Sequence, residues 1–189
     1  SSLLCVEQTA NMSGGVVWPL EKLEAVTEAA HQSGLKTHMD GARLMNAVVK
    51  TNISASEYSK FFDSVWIDFT KGLGAPIGAV LAGSKDFIDR VWRLKQQWGG
   101  AMRQSGVAAA MCMYALEHNV ERLSQDHSLA NFLSENIKSF KKVKTVLPVE
   151  TNIIIFDLKA SAPTAAELVK TLGQKGILIG AFGERRVRI

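Results

Sequence analysis

Lys71 stands between two apolar runs, residues 64–69 and 79–82, in the stretch DSVWIDFTKGLGAPIGAVLAG. The first run is rich in β-branched and aromatic residues and reads as a buried strand. Gly72, Gly74 and Gly78 follow the lysine, and glycines there let a backbone come close to a ligand. Burial disfavours an ammonium, so a lysine between two buried strands is expected to be a nucleophilic amine that attacks a carbonyl. The same stretch could also be an ordinary β-hairpin loop. The chemistry therefore needs partners elsewhere in the chain.

Asp40 and Arg43 supply them, in the run HMDGAR at the end of an apolar segment. An aspartate after a strand is commonly a helix cap. A strand-end Asp in one unit and a strand-end Lys in a later one form a sharper pattern. A pyridoxal phosphate enzyme needs a lysine for the imine and an acid against the ring nitrogen. A charge-assisted hydrogen bond suits the acid to that task.

The elements that must position these residues follow from periodicity. Residues 3–6 read as a strand, and EQTANMSGG (7–15) as a loop at its end. Pro19 suits the first turn of a helix that Gly34 terminates. Residues 35–39 read as a second strand, which completes a parallel strand–helix–strand unit. Ligands in open parallel sheets sit beyond the carboxyl ends of the strands, where Asp40, Arg43 and Lys71 fall. Ser84 caps a helix that reads to about residue 97, and residues 107–140 read as one or two long helices. Strands are expected at 143–149, 152–156 and 177–179, a helix at 163–173, and the beginning of a strand at 187–189.

The chain has 189 residues, 47% hydrophobic and 21% charged, with a net charge of +4. That composition fits an α/β globular protein. The basic residues form no tract, which leaves nucleic-acid binding without support. No uncharged apolar run is long enough for a membrane span. Cys5 and Cys112 lack metal spacing and fit a reducing compartment. His118 and His127 lack ligand partners at metal spacing and read as surface or helix-packing residues. The chain opens inside an apolar run without Met and stops as a strand begins, so it reads as a fragment of a longer protein.

HMDGARLMNA (38–47) followed by FTKGLGAPIGAVLAG (69–83) resembles the low-specificity L-threonine aldolases, within the beta-eliminating lyase/threonine aldolase family. WGGAMRQSG (98–106), YALEHNVERLSQDHSLA (114–130) and ETNIIIFDL (150–158) extend the likeness over essentially the whole chain. The resemblance implies pyridoxal 5'-phosphate as cofactor. It also implies a three-layer α/β/α, mainly parallel sheet (the second half of the large domain), followed by part of a smaller α+β domain. The expected division is 1–120 for the large-domain portion and 121–189 for the linking helix and truncated small domain. Carried over residue by residue, Lys71 holds the cofactor and Asp40 pairs with its ring nitrogen. Arg43 and Arg188 bind the substrate carboxylate. Arg103 reaches the cofactor phosphate of a neighbouring subunit, which implies a homo-oligomer, dimer or tetramer, in the cytoplasm. Arg185 and Arg186 are expected to be solvated neighbours of Arg188.

The chain also departs from the family pattern. Ala10 stands where many relatives carry a histidine near the substrate's β-hydroxyl, so the base for that proton is unassigned. Relatives often have serines just before the lysine, whereas this chain has Asp68 and Thr70. Thr70 can still donate a hydroxyl to the phosphate. Asp68 would be repelled by it and is expected to point elsewhere. The implied reaction is cleavage of a β-hydroxy-α-amino acid such as threonine or allo-threonine to glycine and an aldehyde. A β-eliminating lyase and a non-catalytic remnant are the alternatives, and the 189 residues alone are expected to be inactive.

Overall fold

Alternating apolar positions place Leu3–Glu7 (β1), Lys36–Gly41 (β2) and Ser64–Asp68 (β3) side by side in parallel, with Ala79–Gly83 (β4) antiparallel at the edge. This is a computed structural model, and it describes residues 2–189. Helix α1 (Leu20–Gln32) joins β1 to β2, and α2 (Leu44–Thr51) with α3 (Ala55–Ser59) joins β2 to β3. Parallel crossovers share one hand, so both connections fall on one face of the sheet. Val6, Met39 and Val65 are buried on that face. Leu44, Ala55 and Ser59 line a small cavity there with Val65, Ile67 and Val80. Residues of opposite parity, His38, Asp40 and Trp66, are only half-buried on the other face.

Helices α4 (Lys85–Gln97), α5 (Gly106–His118) and α6 (Leu123–Lys138) follow β4. The Ser84 hydroxyl caps α4 by accepting from Phe87 N–H at 3.3 Å. Phe69, Leu73 and Ala75, just beyond β3, pack with Cys112, Ala115 and Leu123. The fold is therefore α/β, with a mixed sheet flanked by helices.

The chain divides into two compact units. Residues 2–9 and Trp18–Leu123 form the first, and Ala10–Val17 with Ser124–Ile189 form the second. The second unit holds an antiparallel sheet in the order β5 (Val143–Val146), β6 (Ile155–Leu158), β8 (Arg186–Arg188), β7 (Gly180–Ala181). Its core gathers Ala130, Ile137, Ile154, Phe156 and Val187 with Ala165 of α7 (Ala165–Gly173). A capping box starts α7: the Thr164 hydroxyl accepts from Glu167 N–H, and the Glu167 carboxylate accepts from Thr164 N–H.

Several expectations change. The run 79–82 does not form a buried strand, because β4 is an edge strand bonded only to β3 and mostly exposed. β6 begins at Ile155 rather than at residue 152, and β7 lies at Gly180–Ala181 rather than 177–179, where Leu178 is 88% exposed. Helices α2 and α3 were not anticipated. The first starts at Arg43 without a side-chain cap, and the second has only five residues.

Candidate active site

Asp40 is the penultimate residue of β2, and its backbone carbonyl accepts from Gln8 N–H at 2.8 Å. Its Oδ1 accepts from Ala42 N–H at 3.0 Å, which turns the chain sharply from strand to helix. No described group bonds its other carboxylate oxygen. The next turn residue, Arg43, donates its backbone N–H to the Gln8 carbonyl at 3.3 Å and opens α2. Arg43, Asp68 and Gly72 line one narrow crevice of about 10 Å³.

Strand β3 brings the second set. Trp66 is the register partner of Asp40, so the two share a face, and Asp68 shares it two residues on. Asp68 is buried, and its Oδ1 accepts from the Thr70 N–H and the Thr70 hydroxyl, both at 2.7 Å. Its Oδ2 accepts from the Lys71 ammonium. Burial pushes the Asp68 carboxyl up, but the hydrogen bonds from Lys71 and Thr70 outweigh it and hold the group below the usual carboxylate range. The Lys71 nitrogen also lies 5.6 Å from the centroid of the Trp66 ring, within cation–π range. Asp40, Trp66, Asp68, Thr70 and Lys71 thus gather at the carboxyl ends of β2 and β3.

Two expectations about Lys71 are corrected. Its side chain is 35% exposed and ion-paired with Asp68, and of the two flanking strands β4 is mostly exposed. The neighbouring glycines admit protein. A Cβ on Gly72 would stand 2.7 Å from Leu123 Cδ2, and one on Gly78 2.4 Å from Cys112 Sγ. Asp68 is bonded to Thr70 and Lys71, the two residues that follow Phe69.

Arg103 lies between α4 and α5, exposed and without a hydrogen bond or ion pair among the described residues. Arg188 belongs to the second unit, on β8, with its guanidinium 5.3 Å from the Phe182 ring and its Nε buried without a partner. Arg185 and Arg186 are not solvated neighbours. Arg186 forks onto both Asp157 oxygens at 2.8 and 2.9 Å, and Arg185 donates to the Ala162 carbonyl at 2.6 Å. The Arg186 fork holds the Asp157 carboxyl below its ordinary range against the opposing effect of burial.

Sequence reasoning missed Trp66, whose spacing from Asp68 was the available signal, and the anchoring of the loop after β1. Within the second unit, Val17 N–H donates to Glu150 Oε2 at 2.8 Å and the Thr151 hydroxyl to the Gly15 carbonyl at 2.6 Å. These bonds fix the loop that carries Ala10. His127 is buried in α6, and His118 packs against Tyr114 with ring centroids 4.2 Å apart. No group of three or more His, Cys, Asp or Glu residues that could hold a metal occurs among the described residues.

The donor set can be tested for fit to a pyridoxal phosphate. It offers one amine, one strand-end carboxylate with a free oxygen, and a hydroxyl beside the amine. The hydroxyl of Thr9, just past β1, is also buried without a partner. These residues fit the group.

The sequence model of the beta-eliminating lyase family matches residues 1–161. The low-specificity L-threonine aldolase 1 of Arabidopsis thaliana is 40% identical over 99% of this chain and 53% of its own length. The low specificity L-threonine aldolase of Escherichia coli O157:H7 is 37% identical over 96% of this chain and 52% of its own. The chain therefore spans about half the length of the curated relatives it matches. Among solved structures, a Listeria monocytogenes protein assigned as an L-allo-threonine aldolase superposes with a TM-score of 0.82 at 26% identity, over 98% of this chain and 53% of that one. The Leishmania major threonine aldolase shares the fold, with a TM-score of 0.76 at 15% identity, over 100% of this chain and 55% of that one.

Proposed function

The chain belongs to the beta-eliminating lyase family, and on that premise we propose that the whole protein is a pyridoxal phosphate-dependent aldehyde-lyase. It would cleave L-threonine, L-allo-threonine and related β-hydroxy-α-amino acids to glycine and an aldehyde. The observation that carries this reading is the convergence of Asp40 and Lys71 at adjacent strand ends, linked through Trp66. The names of the relatives point to the same substrate class.

Pyridoxal phosphate, when bound, supplies the electron sink for breaking the Cα–Cβ bond. Lys71 is the amine that would hold it covalently. Asp40 would keep its free oxygen toward the ring nitrogen and the proton there. Thr70 and, from a neighbouring subunit, Arg103 would hold the phosphate, since a guanidinium fork meets two oxygens at once. Arg43 and Arg188 would hold the substrate carboxylate and so set which bond is oriented for cleavage. The unsatisfied Nε of Arg188 supports that assignment.

Residues 1–120 would then be part of the large cofactor-binding domain, and 121–189 the linking helix and part of the small domain. A homo-oligomer, dimer or tetramer, follows from the role given to Arg103. No helix among the described residues is long and apolar enough to cross a membrane. A cytoplasmic setting accords with the two free cysteines.

Product analysis of the full-length protein tests the reading. Glycine plus acetaldehyde from L-threonine is expected. A 2-oxo acid plus ammonia would mean β-elimination, which the same Lys and Asp could serve, and would overturn the aldolase assignment.

A further inference from the structure

Asp68 has no role in the reaction as derived so far, yet it is the most heavily bonded side chain at the site. One oxygen accepts two hydrogen bonds from Thr70, each 2.7 Å, and the other accepts from Lys71. The strand fixes it there, because Asp68 is the last residue of β3 and is paired across the sheet with Ala79. Its side chain is buried. Lys71, three residues on, is paired with it, Arg43 lies across the crevice that both line, and Asp40 shares its face of the sheet on the neighbouring strand. Burial raises the carboxyl, but the hydrogen bonds from Lys71 and Thr70 hold it below its usual range.

We propose that Asp68 is a positioning residue that restrains Lys71, holding its nitrogen and the Thr70 hydroxyl away from an incoming aldehyde and so setting how fast the lysine takes up its cofactor. This rests on the reading of Lys71 as the cofactor-holding amine. For Lys71 to react, its nitrogen must lose one proton and turn the lone pair so freed from the Asp68 carboxylate to the aldehyde. Its lone pair then forms the N–C bond to the aldehyde carbon. The carbonyl oxygen departs as water with the two remaining amine protons, and the proton shed first goes to solvent. A buried carboxylate that holds the nitrogen as a hydrogen-bond donor opposes both changes. The phosphate of the same molecule competes with Asp68 for the Thr70 hydroxyl. One carboxylate thus opposes both attachments.

The test uses full-length protein freed of cofactor and then mixed with pyridoxal phosphate at neutral pH. The rate of covalent attachment is read by absorbance, and borohydride reduction with peptide mapping locates the site. Asp68→Asn removes the charge and keeps the shape, and is expected to speed attachment about tenfold, the scale of losing one charge-assisted bond. Asp68→Glu keeps the carboxylate and should stay close to wild type. A purely structural role would slow attachment in both variants. Attachment at Lys71 with an unchanged or slower rate in Asp68→Asn overturns the proposal alone. Attachment at another lysine overturns the reading beneath it.

Should Asp68→Asn not fold, the wild type still decides. Competitive acylation of the cofactor-free protein should modify Lys71 more slowly than Lys85, whose side chain is 85% exposed and paired only across a helix surface with Asp89. Equal or faster modification of Lys71 overturns the proposal.

Discussion

Asp40 and Trp66 are register partners on adjacent parallel strands, so a carboxylate and an indole stand side by side on one face of the sheet. The Lys71 nitrogen lies 5.6 Å from that indole, and the ring thereby links the acid of one crossover unit to the amine of the next. Trp66→Leu should keep the strand and lose this contact. The expected outcome in the full-length protein is a weaker hold on the cofactor, read as faster loss on dialysis. Retention equal to wild type would mean that the indole is only wall.

Asp40→Asn keeps the shape and removes the charge. Asp40 is expected to matter more for rate than for retention, because its charge acts where charge develops in the transition state. Turnover should fall by at least about a hundredfold, the scale of one strong electrostatic group, with cofactor absorbance retained. Unchanged turnover would remove Asp40 from the site.

At the other end of the strands, Asp63 accepts from Lys36 Nζ at 2.8 Å, from Thr37 N–H at 2.8 Å and its hydroxyl at 3.1 Å, and from His31 Nε2 at 3.0 Å. Burial raises this carboxyl, but the bonds from Lys36, Thr37 and His31 hold it far below its ordinary range. A depressed folded-state value means the stabilisation is complete above the unfolded value of about 3.9 and is lost as pH falls below it. Asp63→Asn should therefore lower the denaturation midpoint at neutral pH, and the gap to wild type should begin to close as pH falls below about 4. A constant gap between the two curves down to low pH would show that the cluster stabilises by packing alone.

Gly78 has φ +132°, and a Cβ there would lie 2.4 Å from Cys112 Sγ. Gly78→Ala combines backbone strain with overpacking and should cost about 2 kcal/mol. Adding Cys112→Ala should recover only part of that, since the backbone strain stays. Full recovery, measured by urea midpoints, would assign the whole cost to the sulfur.

Local signals made the strands, the long helices and the chemical residues legible. Alternation marked β1 to β3, and the strand-end positions of Asp40 and Lys71 were readable from the runs before them. Register was not. The adjacency of Asp40 and Trp66 depends on how two crossovers pack, which no window of sequence contains. The exposure of β4 was hidden for a related reason, since an apolar run reads alike in a central strand and at an edge. The bonds of Asp68 to Thr70 and Lys71 arise within three residues of itself, but they depend on the turn that follows β3, which no periodicity marks. Arg186 read as solvated because its partner, Asp157, lies on a neighbouring strand.

The attachment point of the cofactor tests the central claim most directly. Full-length protein loaded with pyridoxal phosphate, reduced with borohydride and digested, should carry the pyridoxyl group on Lys71. Finding it on Lys85 or Lys95, or on no lysine, would contradict the assignment of this site.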